Sequence, residues 1–175
     1  MKKELMQAKH VAALLYSYPL ITKELEIIED SVKNKAHKAA YSIAPCENLC
    51  NEIINITDKG ESLLIIKNTM DQVLSRMDAD ELLYLRFKFF GEKGLKDEIG
   101  YDPYNRSYYR RQARILGKFI MYCGFRGLDD VWFEEQAEKC PILRSTLTQL
   151  LIRKYEADER AKREAAKLKK MGQTV

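Results

Sequence analysis

The chain is predicted to be all-α, and three observations carry that expectation. Its apolar positions recur at spacings of three and four, and no stretch shows the two-residue alternation of a half-buried strand. Only 8 glycines and 4 prolines punctuate 175 residues, so elements should be long and loops few. Hydrophobic residues at 46% beside 32% charged residues suit a soluble globular protein with one core, or a helical domain with appendages.

In order along the chain, the first helix is read from Leu5, Ala8, Ala12 and Leu15 and is expected to stop before Pro19. A second uses Ile21, Leu25, Ile28 and Val32, so a tight turn at Pro19 would join the two as an antiparallel hairpin. Pro45 opens a third, with Leu49, Ile53 and Ile56 on its face. Thr57-Asp58-Lys59-Gly60 is the clearest breaker and marks the end of an N-terminal helical region, residues 1–60.

From Glu61 a new stripe runs through Leu63, Ile66, Met70, Val73 and Met77. Asp78 then stands as an N-cap with Glu81 three residues on, the spacing of a capping box. The helix that follows, ADELLYLRFKFF, carries Leu82, Leu85 and Phe89 on one row and Leu83, Phe87 and Phe90 on the next. So wide an apolar arc predicts a central helix touched from several sides. Gly91 suits its C-terminal cap, and GLKDEIG, between Gly94 and Gly100, allows one or two helical turns.

Asp102 and Pro103 supply the N-cap and first residue of the most informative element, DPYNRSYYRRQARILGKFIMYC over residues 102–123. Within residues 103–118 it carries Arg106, Arg110, Arg111, Arg114 and Lys118 and no acid. The chain's formal charge is only +4, so the remainder sums to about neutral and this helix holds the positive field. Solvated helix faces usually mix signs; an uninterrupted basic helix interleaved with Tyr104, Tyr108 and Tyr109 implies an anionic partner. Tyr108, Ile115, Phe119 and Cys123, flanked by Leu116 and Ile120, form its core stripe. Arg106, Arg110 and Arg114, at spacings of four, form a separate face with Asn105 and Tyr109 alongside.

A helix, a glycine-bounded turn and a second short helix lie upstream, the order of a helix-turn-helix. The expected partner is therefore double-stranded DNA, with the basic helix in the major groove. Asn105, Arg106, Tyr109 and Arg110, near its N-terminus, are the expected base readers: arginine grips guanine bidentately and asparagine grips adenine. Arg111, Arg114 and Lys118, deeper in the helix, are expected on phosphates, which set affinity and register.

After Gly124-Phe125-Arg126-Gly127 a short acidic helix around residues 129–136 carries Trp132 and Phe133; Asp129, Asp130, Glu134 and Glu135 are read as surface or as a contact for a basic partner. Pro141 opens the last helix, apolar through Leu143, Leu147, Leu150 and Leu151 and thinning to alanines and Leu168 past Glu156, as a protruding helix would. His10 and His37 are expected to be exposed. Cys46, Cys50, Cys123 and Cys140 fit reduced, mostly buried thiols, and neither histidine falls near them in a zinc pattern. No cofactor, metal site or catalytic set is expected, and the protein is not read as an enzyme. No stretch approaches the roughly 18 apolar residues of a membrane span, and MKKELMQAKH lacks a signal-peptide core, so a cytoplasmic location is expected.

The run ELLYLRFKFFGEKGLKDEIG followed by SYYRRQARILGKF resembles region 4 of bacterial sigma factors, the helix-turn-helix that reads promoter −35 elements. It is more closely similar to the phage-encoded ArpU and RinA-type regulators of Gram-positive bacteria, which place an N-terminal helical region, with sequences like LLYSYP and KELEIIE, before such a unit. The match covers residues 77–124. It implies that Leu83, Leu85 and Phe87 belong to the core helix, Leu95 and Ile99 to the first helix of the motif, and Tyr108, Tyr109, Arg110 and Arg111 to the recognition helix. Two departures stand out: the segment between Ile99 and YYRR is about two residues shorter than in the family, and DPYN replaces its small-residue turn.

The resulting division is an N-terminal helical hairpin or bundle (1–60), a sigma region 4-like helix-turn-helix (61–125) and a C-terminal helical extension (126–175), which would serve as a dimerisation element, a polymerase contact or a DNA clamp. The expected function is a sequence-specific transcriptional regulator of phage or mobile-element type. The alternatives are a helical adaptor for RNA polymerase or another protein, and a phage DNA-packaging protein. RNA polymerase and a second copy of the chain are the further partners this reading admits.

Overall fold

A computed structural model describes residues 5–41, 46–100 and 106–172. The described residues form six α-helices and one 3-10 turn, with no strand among them: α1 (Ala8–Ala40), α2 (Cys46–Leu74), α3 (Ala79–Phe89), the 3-10 turn (Lys93–Lys96), α4 (Arg106–Phe125), α5 (Asp130–Lys139) and α6 (Pro141–Gly172). No described helix is long and apolar enough to cross a membrane.

α1 and α2 form a long antiparallel pair. Tyr18 donates to Asp71 at 2.5 Å, Leu25 and Ile28 lie against Gly60, and Lys35 pairs with Glu52, so the register runs in opposite directions along the two helices. Here the structure corrects the sequence twice. Pro19 does not end a helix: α1 continues through it for 33 residues in all, so the hairpin is α1 with α2 and has no turn at Pro19. Proline removes one N–H and crowds the preceding turn, yet Leu14, Leu15, Ser17 and Ile21 on both sides of it are fully buried. Stopping at Pro19 would leave Ile21, Leu25 and Ile28 without their seat on α2, and burial of such side chains is worth about 1.5–3 kcal/mol each. Hydroxyls next to the proline use nearby carbonyls, Ser17 donating to Leu14 and Thr22 to Tyr18.

Nor do Asp58 to Gly60 end the next helix, because α2 runs through them. Gly60 is buried against α1, where a Cβ would meet Ile28 at 3.5 Å, so the glycine marks a helix–helix contact. The buried face of α1 is also rotated from the expected one. Leu15 is buried as expected, but so are His10, Val11, Ala13 and Leu14, and Met6 just before the helix, whereas Leu5 and Ala8 are exposed.

The rest of the core follows the apolar pattern closely. Leu63, Ile66, Met70, Val73 and Met77 are all buried. Glu81 accepts the Asp78 N–H at 3.0 Å in a capping box at the start of α3. α3 is touched from several sides as its wide arc predicts: Phe89 and Phe90 meet Tyr16 and Tyr18 of α1, and Tyr84 meets Tyr108 of α4. Gly91 ends it at φ 83°, a left-handed conformation that glycine adopts without Cβ strain.

His10 is not exposed. It is 2% accessible, stacks on Phe133 of α5 at 4.2 Å, and its Nδ1 lies 2.6 Å from Asp130 Oδ1, which also accepts the Gln7 backbone N–H at 2.8 Å. Asp130 is therefore a clamp between α1 and α5. Asp129 caps α5 by accepting the Trp132 N–H. His37 is exposed as expected. Cys123 and Cys140 are buried but Cys50 is exposed, and nothing is described of the Cys46 side chain. Burial alone pushes the Cys123 thiol up to about 12, so it stays protonated.

Candidate nucleic-acid interface

α4 is held from one side. Tyr108, Ile115, Phe119 and Cys123 are buried in the common core, the stripe read from the sequence, with Leu116 and Ile120 packed beside them. Behind Tyr108 lies Tyr84, fully buried, its ring 5.6 Å away; burial first, then Tyr108, drives its phenol well above the usual range. Tyr84 sits between the two apolar rows of α3 and anchors Tyr108 from behind.

The opposite face is polar and open. Arg106, Arg110 and Arg114 are exposed, and among the described residues no ion pair engages any of them. Spaced by four, they form a row about 6 Å per step along the helix. Tyr109 is half exposed beside that row, its ring edge-on to Tyr108 at 5.5 Å. Asn105, and the expected cap Asp102 and Pro103, lie outside the described residues.

Two of the expected DNA contacts are engaged inside the chain. Lys118 reaches Asp78 and Glu81 of the α3 capping box, both at 2.8 Å, and lies over the Tyr122 ring. Those two carboxylates hold its ammonium above the usual lysine range. Arg111 is half buried and donates to the Ile99 carbonyl at 3.5 Å. The cationic helix is thus not uniformly unopposed: Arg106, Arg110 and Arg114 have no ion pair among the described residues, whereas Arg111 is engaged with Ile99 and Lys118 with the start of α3. Asp78 and Glu81 lie about 40 positions upstream, so only the fold brings them to Lys118.

Between α3 and α4 the sequence allowed one or two helical turns. The structure has one 3-10 turn, with Leu95 partly buried and Ile99 buried beneath it. Arg86 closes the corner on Glu92 with two hydrogen bonds, at 2.9 and 2.6 Å. No protein-family model matches the chain, and neither a curated protein nor a solved structure matches it.

Proposed function

We propose that the chain is a sequence-specific DNA-binding transcriptional regulator, related to sigma region 4 and the ArpU and RinA-type phage regulators, that acts in the cytoplasm without enzymatic activity. One observation carries this reading: the row of exposed arginines at 106, 110 and 114, without an ion pair among the described residues, on a helix whose opposite stripe is locked into the core. A helix fixed on one side and cationic on the other can enter a major groove, and positive charge steers its approach. Arg106 and Arg110, with Asn105 and Tyr109, read bases; Arg114 and Arg111 contact phosphates. Lys118 has a different task here. Paired with Asp78 and Glu81, it sets the angle between α4 and α3 and so aims the arginine row.

The test is selection of bound duplexes from a random DNA pool at near-physiological salt, with wild type and Arg106→Ala/Arg110→Ala/Arg114→Ala. A motif enriched by wild type and lost in the variant is the expected outcome. Arg106→Ala or Arg110→Ala alone should cost about 1–3 kcal/mol at the selected site and relax its sequence preference. Lys118→Ala should lower the melting temperature while leaving the salt dependence of binding nearly unchanged, because its charge is already compensated. Absence of any enriched sequence would sink the regulator reading and turn attention to an acidic protein surface or polymerase as the partner of the arginine row.

A further inference from the structure

α6 carries two opposed faces. Leu143, Leu147 and Leu150 turn inward, Leu143 fully buried. On the other side Ser145, Thr148, Ile152 and Tyr155 recur at spacings of three and four, the repeat of a helix–helix seam, and all are exposed. Ile152 is 52% and Tyr155 67% accessible, with Leu151 beside them at 46%. A second unfilled feature lies at the start of the same helix. Pro141 and Ile142 form one wall of a groove of about 1030 Å³ whose other walls include Ile27 of α1 and Ile56 and Ile65 of α2. Its rim carries Glu24, Asp58 and Glu61 with Lys59 and Lys139, and among the described residues none of the five is in an ion pair.

We infer that the groove receives α6 of a second copy, in an antiparallel dimer whose two-fold axis passes near Thr148. Register supports this occupant. Pro141 precedes Thr148 by seven residues and Tyr155 follows it by seven, two helical turns each way. A two-fold axis at Thr148 therefore lays Tyr155 of each copy over Pro141 of the other, and Ile152 beside it, at both ends at once. Such a contact is self-complementary and closes at two chains.

Charge supports it as well. Beside the apolar patch, within about a quarter turn of Ile152, the flank of α6 that would turn toward the partner's groove carries Arg153, Glu156 and Arg160, with Ala157 between them leaving room for close approach. The two arginines meet a rim with three carboxylates, and Glu156 meets one with two lysines. The groove is thus filled as in helix-in-groove recognition, by apolar anchors one turn apart. The dimer does not depend on what α4 binds.

The test is sedimentation equilibrium of the full chain at micromolar concentrations, wild type against Ile152→Asp/Tyr155→Asp. Both side chains are exposed in the single chain, so the variant keeps its fold, checked by far-ultraviolet circular dichroism. Wild type should weigh about twice the 20.4 kDa chain, and the double variant should raise the dissociation constant at least about tenfold. In a separate Thr148→Cys variant a short bis-maleimide should link position 148 to itself between two chains, as mapped by peptide mass spectrometry. A wild type that stays at the mass of one chain overturns the proposal. So does a dimer that survives Ile152→Asp/Tyr155→Asp, or one in which position 148 does not link to its counterpart.

Discussion

The α1–α2 pair and the segment from α3 to the start of α6 treat several residues of the same types in opposite ways, although Gly117 also lies inside α4. In the first, Pro19 and Gly60 sit inside long helices. In the second, Asp78, Gly91, Asp129 and Pro141 stand at helix ends, as their chemistry suggests. Proline and glycine penalise a helix by a few kcal/mol at most. That penalty ends a helix only where little is lost by ending it. Across Pro19 the apolar face continues without a gap into Ile21, Leu25 and Ile28, and the long partner α2 is there to receive it. After Phe89 no equivalent surface continues, and Gly91 turns the chain at positive φ.

Pro19→Ala is the largest expected break in this comparison. If burial holds α1 together against the proline, the substitution restores the N–H that the Leu15 carbonyl lacks and relieves the clash with the preceding turn. Stability should rise by about 1–3 kcal/mol, read as a melting temperature increase of roughly 2–4 °C per kcal/mol for a chain of this size. A loss of stability would mean instead that α1 needs the bend of a proline to follow α2, and that Pro19 is a shaping residue.

The glycines sharpen the contrast at a smaller scale. Gly91 holds φ 83°, which an L side chain adopts at a cost of about 1–2 kcal/mol, so Gly91→Ala should destabilise by that amount. Gly60 lies in ordinary helix, and a methyl there meets Ile28 at normal contact distance. Gly60→Ala should therefore be neutral or stabilising by up to about 1 kcal/mol, measured by urea denaturation. Two substitutions of the same kind with opposite signs would confirm that backbone conformation, and not residue type, separates a stop from a contact.

That distinction also explains what was legible in the sequence. The stripe Tyr108, Ile115, Phe119 and Cys123 is buried as read, because helical spacing alone determines which residues of an amphipathic helix share a face. The same holds for Leu63 to Met77, and for the exposure of Arg106, Arg110 and Arg114. Pairings across the fold were not legible. Lys118 stood among free cations because Asp78 and Glu81 belong to another helix. The face of α1 was misjudged because Met6, His10 and Ala13 compete with Leu5, Ala8 and Ala12 at the same spacing, and what settles the choice is α5, more than a hundred residues away.

His10 and Asp130 are where the two regions meet, and they give the last and smallest test. Burial would raise the Asp130 carboxyl, but the Gln7 backbone N–H and the His10 ring outweigh it and hold the group below the usual range. A carboxyl depressed in the folded state adds stability above its unfolded value of about 3.9 and loses it as pH falls through the lower folded value. Wild type should accordingly lose part of its melting temperature below about pH 4 that Asp130→Asn lacks at every pH, the two curves converging in acid. The measurement is a pair of melting series from neutral to acid pH. Parallel curves would show that the α1–α5 clamp holds by the stacking of His10 on Phe133, with the carboxylate contributing nothing. Convergence would show that an ion-assisted hydrogen bond joins α1 to α5 and so ties the long helix pair to the segment of shorter helices.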